Sequence, residues 1–193
     1  MSVLPTEPIW RMSVERYHEM IEAGILTEDD PVELLEGLLV EKMSKTPPHV
    51  LSTHLTRTSI ERLAPASWFV NTHDPITTVD SEPEPDVSVA RGYPRQYLAR
   101  HPLPQDLALV VEVSDSSLQR DRTMKQRIYA RAGISVYWII NLIDGRIEVY
   151  TDPTGPEEKP SYRQRSDYGP ADEVPFIIEG REIGRIAVRD VLP

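Results

Sequence analysis

The stretch Leu107–Asn141, LALVVEVSDSSLQRDRTMKQRIYARAGISVYWIIN, decides the fold. It opens with LALVVEV, apolar throughout except for Glu112. A run without alternation is that of a strand covered on both faces. Ser114–Leu118 is a turn rich in helix-capping residues, and Arg120–Ala132 then runs without glycine or proline until Gly133 stops it. That is the pattern of a charged helix. Val136–Asn141, VYWIIN, reads as a second central strand. Strand, helix and strand form a crossover unit, right-handed if the strands are parallel.

Working outward, Arg146–Tyr150 pairs back onto Val136–Asn141 across Asp144-Gly145. Residues 152–175 are polar and proline-rich and read as a mobile connection, followed by Phe176–Ile178 and Ile183–Val191 as edge strands or a final short element. Upstream, Pro85–Val89, Ile76–Val79 and Trp68–Asn71 are strand candidates, and residues 91–106 read as a loop with one helical turn. His49–Leu63 is a helix carrying Val50, Leu51, Leu55, Ile60 and Leu63. Pro47-Pro48 ends a hairpin of Val32–Leu35 and Leu38–Met43 around Glu36-Gly37, itself preceded by an acidic turn at Thr27–Pro31. Ser13–Ala23 is a helix with Ser13 as cap and Gly24 as stop. The expectation is one α/β domain over residues 1–193, with its core at about 10–150 and C-terminal strands at 176–191.

Composition narrows the function classes. The chain has 21 Lys and Arg against 31 Asp and Glu, a formal charge of −10, which excludes a uniformly basic nucleic-acid-binding surface but not a local basic groove. The absence of cysteine excludes disulfides, Cys-ligated zinc, iron–sulfur centres and thiol catalysis. The 18 prolines predict many turns and a proline within an edge or loop strand. The opening MSVLPTEPIW has neither the basic start nor the apolar run of a signal peptide, and the longest apolar runs are strand-sized. A cytoplasmic protein without membrane association is expected. No Walker loop or dinucleotide fingerprint is present, so no nucleotide cofactor is expected.

Three elements carry candidate chemistry. In an extended strand Ala108, Val110 and Glu112 share one face. A carboxylate there either reaches water at the strand end or meets a cation, a metal or several donors. Asp86, in EPEPDVSVA, either caps a turn or joins Glu112 from a neighbouring strand, and two such carboxylates suit Mg²⁺. Asp121, Lys125 and Tyr129 recur at four-residue spacing on one helix face. Lys125 either forms a surface pair with Asp121 or points over the sheet beside Glu112, where its ammonium would orient a water or stabilise charge developing on a phosphoryl oxygen. Tyr129 by itself reads as a half-buried packing residue with its hydroxyl at the surface.

The ordered set VELLEGLLVE, PPH, EPDVSV and LVVEVSDSSLQRDRTMKQRIYARAGISVYWIIN resembles the Uma-two family of restriction-endonuclease-like proteins, within the PD-(D/E)XK nuclease superfamily. The resemblance covers roughly residues 10–150. It implies a restriction-endonuclease-like mixed sheet flanked by helices. It implies Mg²⁺-dependent phosphodiester hydrolysis, with Mn²⁺ able to substitute, by an endonuclease acting on DNA. Asp86 matches the motif aspartate and Glu112 the second metal-binding carboxylate, with the Val113 carbonyl as a further metal ligand. The superfamily lysine two residues beyond that glutamate is Ser114 here, and Lys125 occupies the place of the lysine on the following helix. Glu33, His49, Asp121 and Tyr129 fall around this set. Glu33 matches an early family glutamate, and His49 a histidine with a supporting, capping or substrate-contact role. Arg120 and Arg122, nearest to the site in sequence, are the nucleic-acid contact candidates. A homodimer fits the superfamily habit of engaging duplex DNA with paired subunits.

Two other readings remain beside the nuclease. One is a catalytically weak or inactive nucleic-acid-binding or assembly protein on the same fold. The other is metal-dependent hydrolysis of a different phosphate ester. No separate recognition domain, zinc finger or helix-turn-helix signature marks a sequence-specific target.

Overall fold

The structure is a computed structural model that describes residues 8–27 and 29–193. The reading of the first seven residues, and Glu28 of the acidic turn, lie outside the described residues.

Six strands form a mixed sheet in sequence order: β3 (Trp68–Asn71), β4 (Val87–Arg91), β5 (Leu107–Ser114), β6 (Val136–Asn141), β7 (Arg146–Pro153) and β8 (Tyr162–Tyr168). Only β5 and β6 are parallel, with Glu112 opposite Ile139, and α3 (residues 118–131) makes the crossover between them. One face packs Val87, Val89, Val111, Val113, Trp138 and Ile140 against Ile60 of α2 (Pro47–Glu61) and against the hairpin of β9 (Glu173–Ile178) and β10 (Arg181–Ala187), which contributes Val174, Phe176 and Ile186. The other face packs Val110, Tyr137, Ile139, Tyr150 and Tyr162 under Ile128, Tyr129 and Ala130 of α3. Each such buried large side chain stabilises by about 1.5–3 kcal/mol.

The hairpin of β1 (Val32–Leu35) and β2 (Leu38–Glu41) turns at Glu36-Gly37 with Leu35 opposite Leu38. Both turn residues have positive φ, 49° and 74°, as a type I′ turn requires. Glu36 tolerates this position while its carboxylate is gripped by Arg127, with Arg131 nearby. Gly37 has no alternative, because a Cβ there would lie 2.7 Å from Arg11 Cβ. Helix α1 (Val14–Glu22), capped by Ser13, lays Val14 and Tyr17 on Leu34. Among the described residues no helix is long and apolar enough to cross a membrane.

Several expectations need correction. Ile76–Val79 is not a strand, because its backbone N–H groups are taken by irregular partners: Ile76 donates to the Pro83 carbonyl and Thr77 to the Pro102 carbonyl. The segment expected to be a mobile connection contains β8, an edge strand pairing Ile147 with Tyr168 through Pro153 with Tyr162. Ala108 does not share a face with Val110 and Glu112. A register shift, with Val89 opposite Leu109 but Ala90 opposite Leu107, sends Ala108 to the opposite core. The hairpin of β6 and β7 forms across Asp144-Gly145 as expected, through a four-residue turn, since Asn141 pairs with Arg146. Pro47 and Pro48 do not end the hairpin; they form the first turn of α2 behind the Thr46 cap, where a missing N–H costs nothing. Finally, α3 is not uniform: Leu118–Arg120 and Gln126–Arg131 are α-helical, but Asp121–Lys125 is a π turn.

Candidate active site

Asp86 stands immediately before β4 and Glu112 near the end of β5, and the two strands run antiparallel with Val87 opposite Val111. This register lays Asp86 alongside the end of β5, and the Val113 N–H donates to Asp86 Oδ2 at 2.8 Å. His49, in the first turn of α2, donates from Nε2 to the same oxygen at 3.1 Å. His73 brings Nδ1 to 3.4 Å from the other oxygen, Oδ1. Its backbone is left-handed, φ 60°, a conformation in which histidine is enriched. Its N–H is tied to the Pro85 carbonyl.

Glu112 meets α3. Lys125 Nζ donates to Glu112 Oε1 at 3.0 Å, and the Tyr129 hydroxyl donates to the same oxygen at 2.6 Å. Among the described residues no protein donor bonds Oε2. Lys125 also lies 3.2 Å from Glu33 Oε2, delivered by β1, and Glu33 is held in turn by the Glu84 backbone N–H. Asp121 accepts from the hydroxyls of Ser114 and Ser117 at 2.7 and 2.6 Å. The π turn lets two consecutive turns of helix serve the site, a local widening often found at functional sites. The Tyr137 hydroxyl donates to the Asp121 carbonyl inside it at 3.2 Å. Asp86, Glu112, Glu33, Asp121 and Lys125 all line one cleft, with Lys42, Met43, Lys45, His73 and Arg120 among its remaining walls.

The electrostatics follow from this packing. Four buried carboxyl groups (Glu33, Asp86, Glu112 and Asp121) surround one buried ammonium. Burial pushes Glu112 well above the usual carboxylate range; Lys125 opposes this, and the charges of Asp121, Asp86 and Glu33 add to it. Burial likewise raises Asp121. Burial alone would lower Lys125, but Glu112, Glu33 and Asp121 overcome it and hold the ammonium charged. Burial also works against the Asp86 carboxylate, yet the His49 and Val113 hydrogen bonds hold it below its ordinary value. The Tyr129 hydroxyl keeps its proton, raised first by burial and then by Glu112.

The structure therefore brings together Asp86, Glu112, Lys125, Glu33, His49, Asp121 and Tyr129. The surface Asp121–Lys125 pair is not what forms: both side chains are buried and each has other partners. Tyr129 is fully buried, and its hydroxyl does not reach the surface. Arg120 stays at the cleft wall, donating to the Glu41 carbonyl and lying 3.8 Å from Glu33. Arg122 turns away from the cleft and grips the buried Glu148 through two nitrogens. Sequence reasoning missed His73, Lys42 and Lys45, which arrive on irregular segments without any spacing that ties them to Asp86. Among the described residues no group of three His, Asp or Glu side chains is arranged as a metal cluster.

A family model described as "Uma2: Putative restriction endonuclease" matches residues 14–178, most of the chain. The chain belongs to the Uma2 family. It is also similar to a solved structure described as a putative nuclease belonging to DUF820, from Anabaena variabilis ATCC 29413. The identity is 14% over 93% of this chain and 97% of that one, with a TM-score of 0.66, and this likeness shows a shared fold. No curated protein matches this chain. The Uma2 match spans α1 to β9 and so includes every residue of the cleft.

Proposed function

We propose that this Uma2 protein is a metal-dependent nuclease that hydrolyses phosphodiester bonds in DNA. The observation that carries the reading is Glu112. One of its oxygens is committed to Lys125 and Tyr129, the other has no protein donor among the described residues, and Asp86 arrives at the start of the adjacent strand. The donors are hard oxygens, and the surrounding acids outnumber the buried Lys125 ammonium. That combination fits Mg²⁺ or Mn²⁺, held by Asp86, Glu112 and the Val113 carbonyl with waters completing the shell. Such an ion supplies Lewis-acid polarisation of the phosphate and a more acidic water.

The chain's own groups set up the rest. Lys125 stays charged, so its part is to offset negative charge growing on the phosphoryl oxygens rather than to exchange protons. Glu33 and Asp121 keep that ammonium in place electrostatically. Tyr129 fixes the rotamer of Glu112, and His49 with the Val113 N–H fixes Asp86, so neither carboxylate must reorganise when charge develops.

The test compares wild type, Glu112→Gln and Asp86→Asn on labelled DNA with Mg²⁺, Mn²⁺ or EDTA. Cleavage that needs the metal and is lost in both variants, with folding intact, supports the reading. Turnover persisting in EDTA or in Glu112→Gln removes it. Tight binding of DNA without turnover under either metal favours a binding protein on this fold.

A further inference from the structure

We propose that a second cavity, apart from the catalytic cleft, binds a small aliphatic ammonium ligand, with Glu82 and Tyr17 taking its charged end. The cavity measures about 410 Å³, within the range of small-molecule sites. Its walls come from α1 and the turn after it, from the β1–β2 hairpin, and from the irregular segment that carries Pro75, Glu82 and Glu84. It shares only Lys42 and Glu84 with the catalytic cleft. Ile21, Gly24 and Thr27 on its walls are exposed, so it opens to solvent.

Two buried groups in this cavity have unspent hydrogen-bonding capacity. Tyr17 is 7% exposed and packs with Val14 and Leu34, yet among the described residues its hydroxyl has no hydrogen-bond partner. A buried tyrosine hydroxyl ordinarily finds one. Burial pushes this hydroxyl up to about 12, and the charges of Glu82, Glu84 and Glu33 add to the rise, so it keeps its proton and lies in the field of those acids. Glu82 is 3% exposed. Its Oε2 is spent on His18 Nε2 and on the Thr77 hydroxyl, each at 2.7 Å. Its Oε1 has no donor within hydrogen-bond distance among the described residues, and His101 Nε2 stands 4.0 Å away. A buried carboxylate oxygen without a donor is costly, and a ligand that donates to it removes that cost.

The remaining walls select the ligand. Asp30 and Glu84 join Glu82 there, against a single lysine, Lys42, which is already on Glu84 at 2.6 Å. Asp30 in turn accepts from the Thr27 N–H at 2.8 Å. This excess of acid repels anions and attracts a cation. A bare divalent ion is a poor fit: among the described residues no three His, Asp or Glu side chains are arranged as a metal cluster. Ile21, Leu26, Val32 and Pro75 would also take water from such an ion without replacing it. The same four side chains suit the methylene groups of an alkyl stem. An ammonium at the end of that stem has three donors, for which Glu82 Oε1 and the Tyr17 hydroxyl oxygen are acceptors. The ligand is therefore an alkyl chain ending in a protonated amine, either a free diamine or a lysine side chain.

The experiment titrates the full chain in a calorimeter with putrescine, with N-acetyl-lysine methylamide and with butanediol, the neutral counterpart of putrescine. We expect saturable heat from an amine and none from butanediol. Glu82→Gln should weaken amine binding at least about tenfold, since a hydrogen bond to a charged group is lost. Tyr17→Phe should weaken it roughly three- to tenfold without lowering the urea midpoint, because the hydroxyl has no partner to lose. Tyr17→Phe decides the matter by itself if Glu82→Gln, deprived of its charge beside His18, does not fold. Tighter binding of putrescine identifies a free diamine and tighter binding of the capped lysine a lysine side chain; either supports the site. The absence of saturable heat with both amines overturns it. So does equal binding of butanediol. Amine binding that Tyr17→Phe leaves unchanged overturns it as well, because that is only general attraction to a chain of formal charge −10.

Discussion

Lys125 reaches Glu112 at 3.0 Å from a helix thirteen residues further along the chain, and Tyr129, one turn on, reaches the same carboxylate oxygen at 2.6 Å. One helix thereby fixes both the charge and the orientation of the strand carboxylate.

Tyr129→Phe keeps the ring, which packs edge-on against Tyr137 at 5.0 Å, and removes only the hydroxyl. A hydrogen bond to a buried carboxyl group is lost, so a destabilisation of about 1.5–3 kcal/mol is expected in urea titrations. Mn²⁺ affinity should also fall by about 10- to 100-fold in calorimetry, because Glu112 is no longer held in one rotamer. Unchanged affinity would mean that the hydroxyl only packs.

Lys125→Met removes the buried ammonium and leaves Glu33 and Glu112 facing each other. A loss of about 3–5 kcal/mol is expected from the uncompensated acids. Glu112→Gln behaves oppositely: burial already favours the neutral carboxyl, and the amide oxygen still accepts from Tyr129. It should unfold at or above the wild-type urea midpoint. Combined with Lys125→Met it should restore part of the lost stability, a coupling that a double-mutant cycle measures.

These contacts also mark where the sequence is legible. LALVVEV announces β5, VYWIIN announces β6, and the helix between them follows from its caps and from Gly133, because all three signals are local. The environment of Lys125 is not local. DRTMKQR reads as a solvated face, and it is buried because Glu33 comes from a hairpin some ninety residues earlier while Ser114 and Ser117 absorb Asp121. YRQRSDY lacks apolar alternation because β8 is an edge strand with mostly exposed side chains, and within it only Tyr162 is buried. Conversely Ile76–Val79 carries strand-forming residues, but Pro75 and Pro83 leave no ladder for it to join.

Glu148 is a buried carboxylate that the apolar pattern of β7 hides. It accepts from Arg122, Asn141 and Tyr150, with Arg165 at 3.3 Å. Burial works against the charge, but the Arg122, Asn141 and Tyr150 hydrogen bonds outweigh it and hold the carboxyl below its ordinary 4.5. A carboxyl depressed on folding stabilises fully above its unfolded value, and that stability disappears as the pH falls through the lower folded value. Glu148→Gln should therefore cost stability at pH 7 and flatten the acid limb below about pH 4.5 in urea midpoints taken against pH. An acid limb identical to wild type would show that Glu148 does not contribute to it.

Gly37→Ala tests the turn that delivers Glu33. The new methyl meets Arg11 Cβ at 2.7 Å with φ at 74°, so a loss of about 1–3 kcal/mol is expected from strain alone. Because Glu33 is carried on β1 of the same hairpin, activity per folded molecule should fall as well, whereas Gly155→Ala, whose Cβ meets nothing within 4 Å, should leave it unchanged.

The central claim is that Asp86 and Glu112 hold one divalent cation between them, and its most direct test is anomalous scattering from a crystal soaked in MnCl₂. The account predicts a manganese peak within coordination distance of an oxygen of both carboxylates and absent in Glu112→Gln. A soaked crystal with no peak at that position, or with its peak on other residues, would contradict it.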